Sequence, residues 1–98
     1  MSLPVILRPA ADADIQTSHD DLEQVRAGLG ARFVTRVRET LDQIEAMPEL
    51  FGVVWQDVRA ARLRQFRHIV YYVVFIDRVE VLAVMHGSRD AMAWQTRI

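Results

Sequence analysis

The segment Ile69–Ile76 constrains the fold more than any other part of the chain. It reads Ile-Val-Tyr-Tyr-Val-Val-Phe-Ile, a run of apolar residues that are all β-branched or aromatic. A run of this length and composition is typical of a β-strand that is buried on both faces of a sheet. The two-residue connection Asp77-Arg78 leads to a second apolar stretch, Val79–Met85, so the two segments are predicted to form a tight hairpin.

The first half of the chain has a helical period instead. Apolar residues recur at helical spacing from about Ala10 to Ala27 and again after Gly28-Leu29-Gly30. The two apolar stripes are Ile15, Leu22 and Val25, followed by Phe33, Val37, Leu41 and Ile44. Pro48 ends the second stretch, because the residue before a proline avoids the helical region. We therefore predict two helices that form an antiparallel hairpin.

The remaining segments complete the predicted order of elements. Pro4–Leu7 reads as a short opening strand, Val58–Phe66 as an arginine-rich strand, and the tail Asp90–Ile98 as a helical turn or a frayed end. The order strand, helix, helix and three strands predicts an α+β fold, in which an N-terminal strand and a helical hairpin pack on a small antiparallel sheet. At 98 residues, the chain is expected to form a single domain over residues 1–98.

Composition excludes several classes of function. The chain has no cysteine, which removes disulfides, thiolate metal ligands and cysteine nucleophiles. Its 3 histidines are scattered without the spacing of metal ligands, so we expect no metal and no cofactor. We find no apolar run as long as a membrane helix and no signal-peptide pattern at the start, and we therefore expect a cytoplasmic protein without a membrane partner.

Charge is divided unevenly along the chain. Residues up to Asp57 contain five arginines and ten acidic residues, whereas those from Val58 onward contain seven arginines and three acidic residues. Four of the later arginines are close together in the sequence: Arg59, Arg62, Arg64 and Arg67. A guanidinium group can bind phosphate or carboxylate through two parallel hydrogen bonds. This segment is predicted to bind nucleic acid or an acidic partner segment, the alternative being a solvated sheet face that pairs with the acidic helices.

His86 is the strongest candidate for acid–base chemistry. It ends the last predicted strand and precedes the turn Gly87-Ser88-Arg89-Asp90. An imidazole that titrates near pH ~6.5 can transfer protons, and a nearby arginine can stabilise charge that develops on a phosphate. The alternative is a histidine that is hydrogen-bonded within the turn. Trp55 and Trp94 could stack on nucleic-acid bases, or they could pack in the core.

Five motifs, in this order, resemble the RelE/ParE superfamily, the toxins of type II toxin–antitoxin modules that are also described as plasmid stabilisation proteins. The motifs are Gly28–Phe33, Met47–Leu50, Arg62–Phe66 with Ile69–Val74, Val81–Asp90, and Trp94 with Arg97. The resemblance implies a helical hairpin packed on an antiparallel sheet. It also implies a cognate antitoxin whose flexible segment wraps the toxin, in a heterotetramer or a larger complex.

The resemblance leaves the target open between two branches. We favour the ParE-like branch, which poisons DNA gyrase and has no assigned catalytic residues. In the RelE-like alternative, which cuts mRNA on the ribosome, Arg64 and Arg89 would stabilise the phosphate and His86 would transfer a proton. A third alternative is a degenerate, non-toxic protein that only binds antitoxin, because Arg67 and Ala91 stand where the superfamily usually has proline. The residues predicted to contact a partner or phosphate are Arg59, Arg62, Arg67, Trp94 and Arg97.

Overall fold

Helices and strands follow the predicted order with one additional strand, and the tail forms a short helix, which is one of the two alternatives predicted for it. The computed structural model describes residues 2–98. Its elements are β1 (Val5–Leu7), α1 (Pro9–Val25), α2 (Leu29–Ala46), β2 (Val53–Trp55), β3 (Val58–Arg62), β4 (His68–Val74), β5 (Val79–His86) and α3 (Met92–Gln95). The α+β class is confirmed. β2 has no counterpart among the strands predicted from the sequence.

The five strands form one sheet in the order β1-β5-β4-β3-β2. The three pairs among β2, β3, β4 and β5 are antiparallel, but β1 pairs with β5 in parallel. The predicted antiparallel sheet is confirmed for β2 to β5, and the N-terminal strand joins it in parallel. Strands joined by a tight turn must run in opposite directions, whereas β1 and β5 are separated by most of the chain and no turn sets their relative direction.

The helical hairpin packs against one face of the sheet, as predicted. Phe33, Val37 and Ile44 of α2 are buried there against strand residues that include Val70 and Tyr72. Val25 departs from the predicted stripe, because it ends α1 and its side chain is 75% exposed. Among residues 2–98, no helix combines the length and the apolar character that crossing a membrane requires.

The opposite face of the sheet is covered by the C-terminal segment. Trp94 of α3 packs there with Tyr71, Leu82 and Met85 in a second buried cluster. The predicted burial on both faces of the strand that includes Ile69 is thus confirmed at the centre of β4. The helical hairpin covers one face, and α3 covers the other. Ile76 lies beyond β4 and is 99% exposed, so the predicted strand was too long at its end.

The arginine-rich strand is also shorter than predicted. β3 ends at Arg62, and residues 63–67 form a turn in which Gln65 has a φ of 65°. The backbone N–H of Leu63 donates to the carbonyl oxygen of His68 at 3.0 Å and closes this turn. In a regular strand Arg62 and Arg64 would lie on one face of the sheet, and Arg59 and Arg67 on the other. This alternation does not apply here, because the strand ends at Arg62.

Candidate functional site

Two turns lie side by side at the end of the sheet where β4 begins and β5 ends. The backbone N–H of Gly87 donates to the carbonyl oxygen of Arg67 at 2.8 Å and joins the turn of residues 63–67 to the turn of residues 87–90. A Cβ atom at Gly87 would lie 3.1 Å from that oxygen, so the glycine allows this close approach. Segments that are distant in the sequence thereby form one surface.

Exposed arginines surround these two turns. We call this surface the basic end and define it by Arg62, Arg64, Arg67 and Arg89. Within residues 2–98, none of these four side chains makes a hydrogen bond or an ion pair. Arg36 of α2 borders the basic end, because its Nε donates to Gln65 Oε1 at 3.0 Å while its Nη1 pairs with Glu39. The guanidinium groups of the basic end are therefore available to a partner.

His86 is held in a hydrogen-bonded turn. Its Nδ1 accepts from the backbone N–H of Ser88 at 3.0 Å, and the Ser88 hydroxyl lies 2.7 Å from the same nitrogen. Because Nδ1 acts as the acceptor, a neutral His86 ring carries its proton on Nε2. A substrate that approaches Nδ1 would have to displace the contacts from Ser88.

A polar cleft of about 210 Å³ separates this histidine from α1. Asp14 and Asp21 of α1 line it together with His68, His86 and Arg89. The structure thus brings two of the three proposed nuclease residues together but does not place Arg64 in the cleft lining. The negative charge of Asp21 faces the same space and opposes the binding of a phosphate group, whereas that of Asp14 is paired with Arg97.

His68 lies at the base of this cleft with a buried ring nitrogen. Its ring packs edge-on against Phe33 at 4.7 Å and against His86 at 5.4 Å between centroids. Nδ1 of His68 is buried and has no hydrogen-bond partner among residues 2–98. Burial, followed by the charge of His86, lowers the pKa of His68 below its ordinary value.

Arg97 is part of a structural ion pair. Its Nη1 donates to Asp14 Oδ2 at 2.6 Å and to the carbonyl oxygen of Leu82 at 3.1 Å, and Nη2 reaches Asp14 Oδ1 at 3.2 Å. Asp14 also accepts from the backbone N–H of Val84 at 3.0 Å. The pair therefore satisfies backbone groups of β5 beyond the end of β1 and fixes the C-terminal segment.

Trp94 and Arg59, two more of the residues predicted to contact a partner or phosphate, also make internal contacts. Trp94 is only 5% exposed, and its ring stacks on Tyr71 with centroids 4.3 Å apart. Arg59 Nη1 donates to the carbonyl oxygens of Phe51 at 2.7 Å and of Glu49 at 3.3 Å. Trp94 therefore stabilises the sheet, and Arg59 stabilises the loop that follows α2.

An apolar groove lies at the opposite end of β4. It has a volume of about 660 Å³ and is lined by Leu3, Met47, Pro48, Glu49, Leu50 and Val74. The side chains of Met47 and Leu50 are more than half exposed, and the Tyr72 hydroxyl holds this loop by donating to the Pro48 carbonyl oxygen at 2.7 Å. From the sequence, Met47–Leu50 was predicted only to end the second helix. Two large apolar residues beside a helix-ending proline were the signal that could have revealed the groove.

Comparisons with known proteins agree with this architecture. A family model described as the ParE toxin of the type II toxin–antitoxin system, parDE, matches residues 5–91. A solved structure titled "Chromosomal ParDE TA system from P. aeruginosa" is similar with a TM-score of 0.66 and 12% sequence identity. That match covers 87% of this chain and 96% of the other chain. No curated protein sequence matches significantly. At 12% identity, the structural likeness shows a shared fold alone.

Proposed function

The chain belongs to the ParE toxin family of type II toxin–antitoxin systems, and we propose that it acts in the cytoplasm on DNA gyrase without catalysis of its own. The sequence leaves two targets open, DNA gyrase and the ribosome, and the family assignment supports gyrase. A cognate antitoxin neutralises the toxin in this proposal.

The observation that carries the choice of gyrase is the environment of His86. A ribosome-dependent nuclease would need a proton-transfer group beside a site that accepts phosphate. Here the backbone N–H of Ser88 donates to Nδ1 of the histidine, and Asp21 brings a negative charge to the cleft next to it. Arg89 is the cation in this lining, and Arg64 is absent from it. These contacts favour a toxin that binds its target over one that cleaves a phosphodiester bond.

The antitoxin is proposed to bind in the apolar groove. Binding energy in protein interfaces is concentrated in a few large side chains that become buried, and Met47 and Leu50 are exposed side chains of this kind. Glu49 lines the same groove and supplies a negative charge at its edge. The matching antitoxin segment would therefore present apolar residues next to a basic residue. The groove is separate from the arginine-rich segment, for which the sequence predicts nucleic acid or an acidic partner segment.

Purified toxin should be tested against gyrase on supercoiled plasmid DNA. We expect cleaved DNA to accumulate with gyrase present, and we expect added antitoxin to prevent it. In cells, pulse labelling should show that DNA synthesis falls before protein synthesis after the toxin is induced alone. Early loss of translation with intact DNA synthesis would contradict the proposal, and so would the absence of any arrest.

His86→Ala separates binding from catalysis. The variant should still arrest growth, because a gyrase poison does not use the imidazole, whereas a nuclease should lose about 10²-fold or more of its activity. The matched control is His19→Ala, which changes a histidine on α1 that does not line the cleft. Loss of toxicity in His86→Ala alone, with an unchanged melting temperature, would favour the nuclease.

A further inference from the structure

We propose that the basic end binds the phosphate backbone of duplex DNA. The proposal rests on the proposed function in one respect, since gyrase is the reason to expect DNA and not RNA. The binding itself would be a property of the toxin, with Arg62, Arg64 and Arg67 at its centre and Arg89 at its margin. These residues would position the toxin on the DNA that its target holds.

The local charge of the basic end supports an anionic ligand. Residues 62–68 and 86–91 contain four arginines and one acidic residue, Asp90. Asp90 keeps its negative charge, although its Oδ1 accepts from the backbone N–H of Met92 at 2.9 Å, so four positive charges face one negative charge. Arg32 is also exposed, and it precedes Arg36, which contacts Gln65, by one turn on the same face of α2. Positive charge therefore extends from the two turns onto the neighbouring helix.

The lack of apolar anchors distinguishes this surface from a peptide-binding one. Large hydrophobic side chains that are exposed occur at several places in residues 2–98, but none lies in residues 62–68 or 86–91. A peptide that binds with useful affinity usually buries such anchors. Binding to a nucleic-acid backbone instead depends on neutralising phosphates with arginine and lysine, and it needs no apolar contact. An acidic peptide is therefore the less favoured ligand of the basic end.

The position of the acidic residues predicts how the surface is used. The chain has a net charge of −1, so long-range attraction to DNA is weak and the arginines must act at short range. Asp21 lines the cleft beside Arg89 and opposes phosphate there. The turn of residues 63–67 has no acidic residue. DNA is thus expected to contact this turn and the end of β3 and to avoid the cleft.

Fluorescence anisotropy with a short labelled DNA duplex tests the proposal over a series of salt concentrations. Arg64→Glu combined with Arg67→Glu should weaken binding at low salt by about 10-fold or more and should reduce the salt slope by about two. The matched control is Arg26→Glu combined with Arg38→Glu, which makes the same change in net charge at two exposed arginines outside the basic end. This control should retain most of the affinity.

The outcomes separate this proposal from the proposed function. Equal losses in both double variants, or no loss in either, would overturn a DNA-binding basic end, and so would tighter binding to RNA of the same length. Arg64→Gln combined with Arg67→Gln, whose melting temperature should match that of the unmodified protein, checks that charge and not unfolding causes the loss. Gyrase-dependent DNA cleavage by the unmodified toxin is measured separately, so either idea can fail alone.

Discussion

At the scale of the residue, the folded protein favours the neutral form of the His68 side chain. Its buried Nδ1 has no partner in the described chain, and its ring packs between Phe33 and His86. The groups that share its cleft are Asp14 and Asp21 of α1, with Arg89 beyond β5. Burial and the charge of His86 lower the pKa of His68. Protonation of His68 therefore favours the unfolded chain.

The stability of the protein should consequently depend on pH through His68. The ordinary pKa of about 6.5 in the unfolded chain exceeds the folded pKa, so this contribution is complete above that value and is lost as the pH falls toward the folded pKa. Urea unfolding over a range of about pH 5 to 8 should show this decline. The decline should be smaller in His68→Phe and unchanged in His19→Gln. An identical pH dependence in His68→Phe would show that another group is responsible.

At the scale of the element, the helical hairpin depends on a close contact at Gly30. A Cβ atom there would lie 2.6 Å from the carbonyl oxygen of His19 and 2.7 Å from Glu23 Cγ. The Glu23 carboxylate accepts from the backbone N–H groups of Gly28 at 3.2 Å and Gly30 at 2.8 Å, and these bonds lower the pKa of Glu23. The start of α2 thus receives a negative charge from α1, where the helix dipole favours it.

Gly30→Ala should therefore destabilise the hairpin, because the methyl group has no space unless the two helices separate. We expect the free energy of unfolding to fall by about 1–3 kcal/mol. Gly52→Ala is the matched control. A Cβ atom at Gly52 meets nothing within 4 Å, and its substitution should change stability by about 0.5 kcal/mol or less. Equal melting temperatures for the two variants would mean that α1 and α2 separate at no cost.

The elements that could be predicted are those defined by a local pattern. Both helices and the β4–β5 hairpin have apolar periods or runs long enough to identify them. β2 contains only three residues, and the parallel direction of β1 depends on a pairing across most of the chain. Arg97 was identified as a site residue through the family resemblance, but Asp14, its partner, lies 83 positions away. Patterns in a single sequence carry no information about ion pairs between distant residues. These ion pairs decide which arginine side chains remain available to a partner.

At the scale of the whole molecule, two chemically different surfaces lie at opposite ends of the sheet. Val74, the last residue of β4, lines the apolar groove, whereas His68, the first residue, directly follows Arg67 of the basic end. A strand of this length spans about 20 Å. Arg62 and Arg64 are thus well separated from Met47 and Leu50, and a segment that fills the groove need not contact the basic end. Antitoxin binding and DNA binding should therefore be separable by mutation.

Leu50→Glu should weaken antitoxin binding by about 30-fold, because it removes an apolar anchor and adds a charge beside Glu49. DNA binding should be unaffected. Arg64→Glu combined with Arg67→Glu should show the reverse pattern, and the effects of the combined triple variant should add within about 0.5 kcal/mol. The control is Val25→Glu, at a 75% exposed apolar residue outside the groove.

Calorimetry with antitoxin and anisotropy with DNA measure the two affinities. Loss of antitoxin affinity in the arginine variant would instead mean that the basic end also binds antitoxin, as the charge distribution of the sequence first suggested.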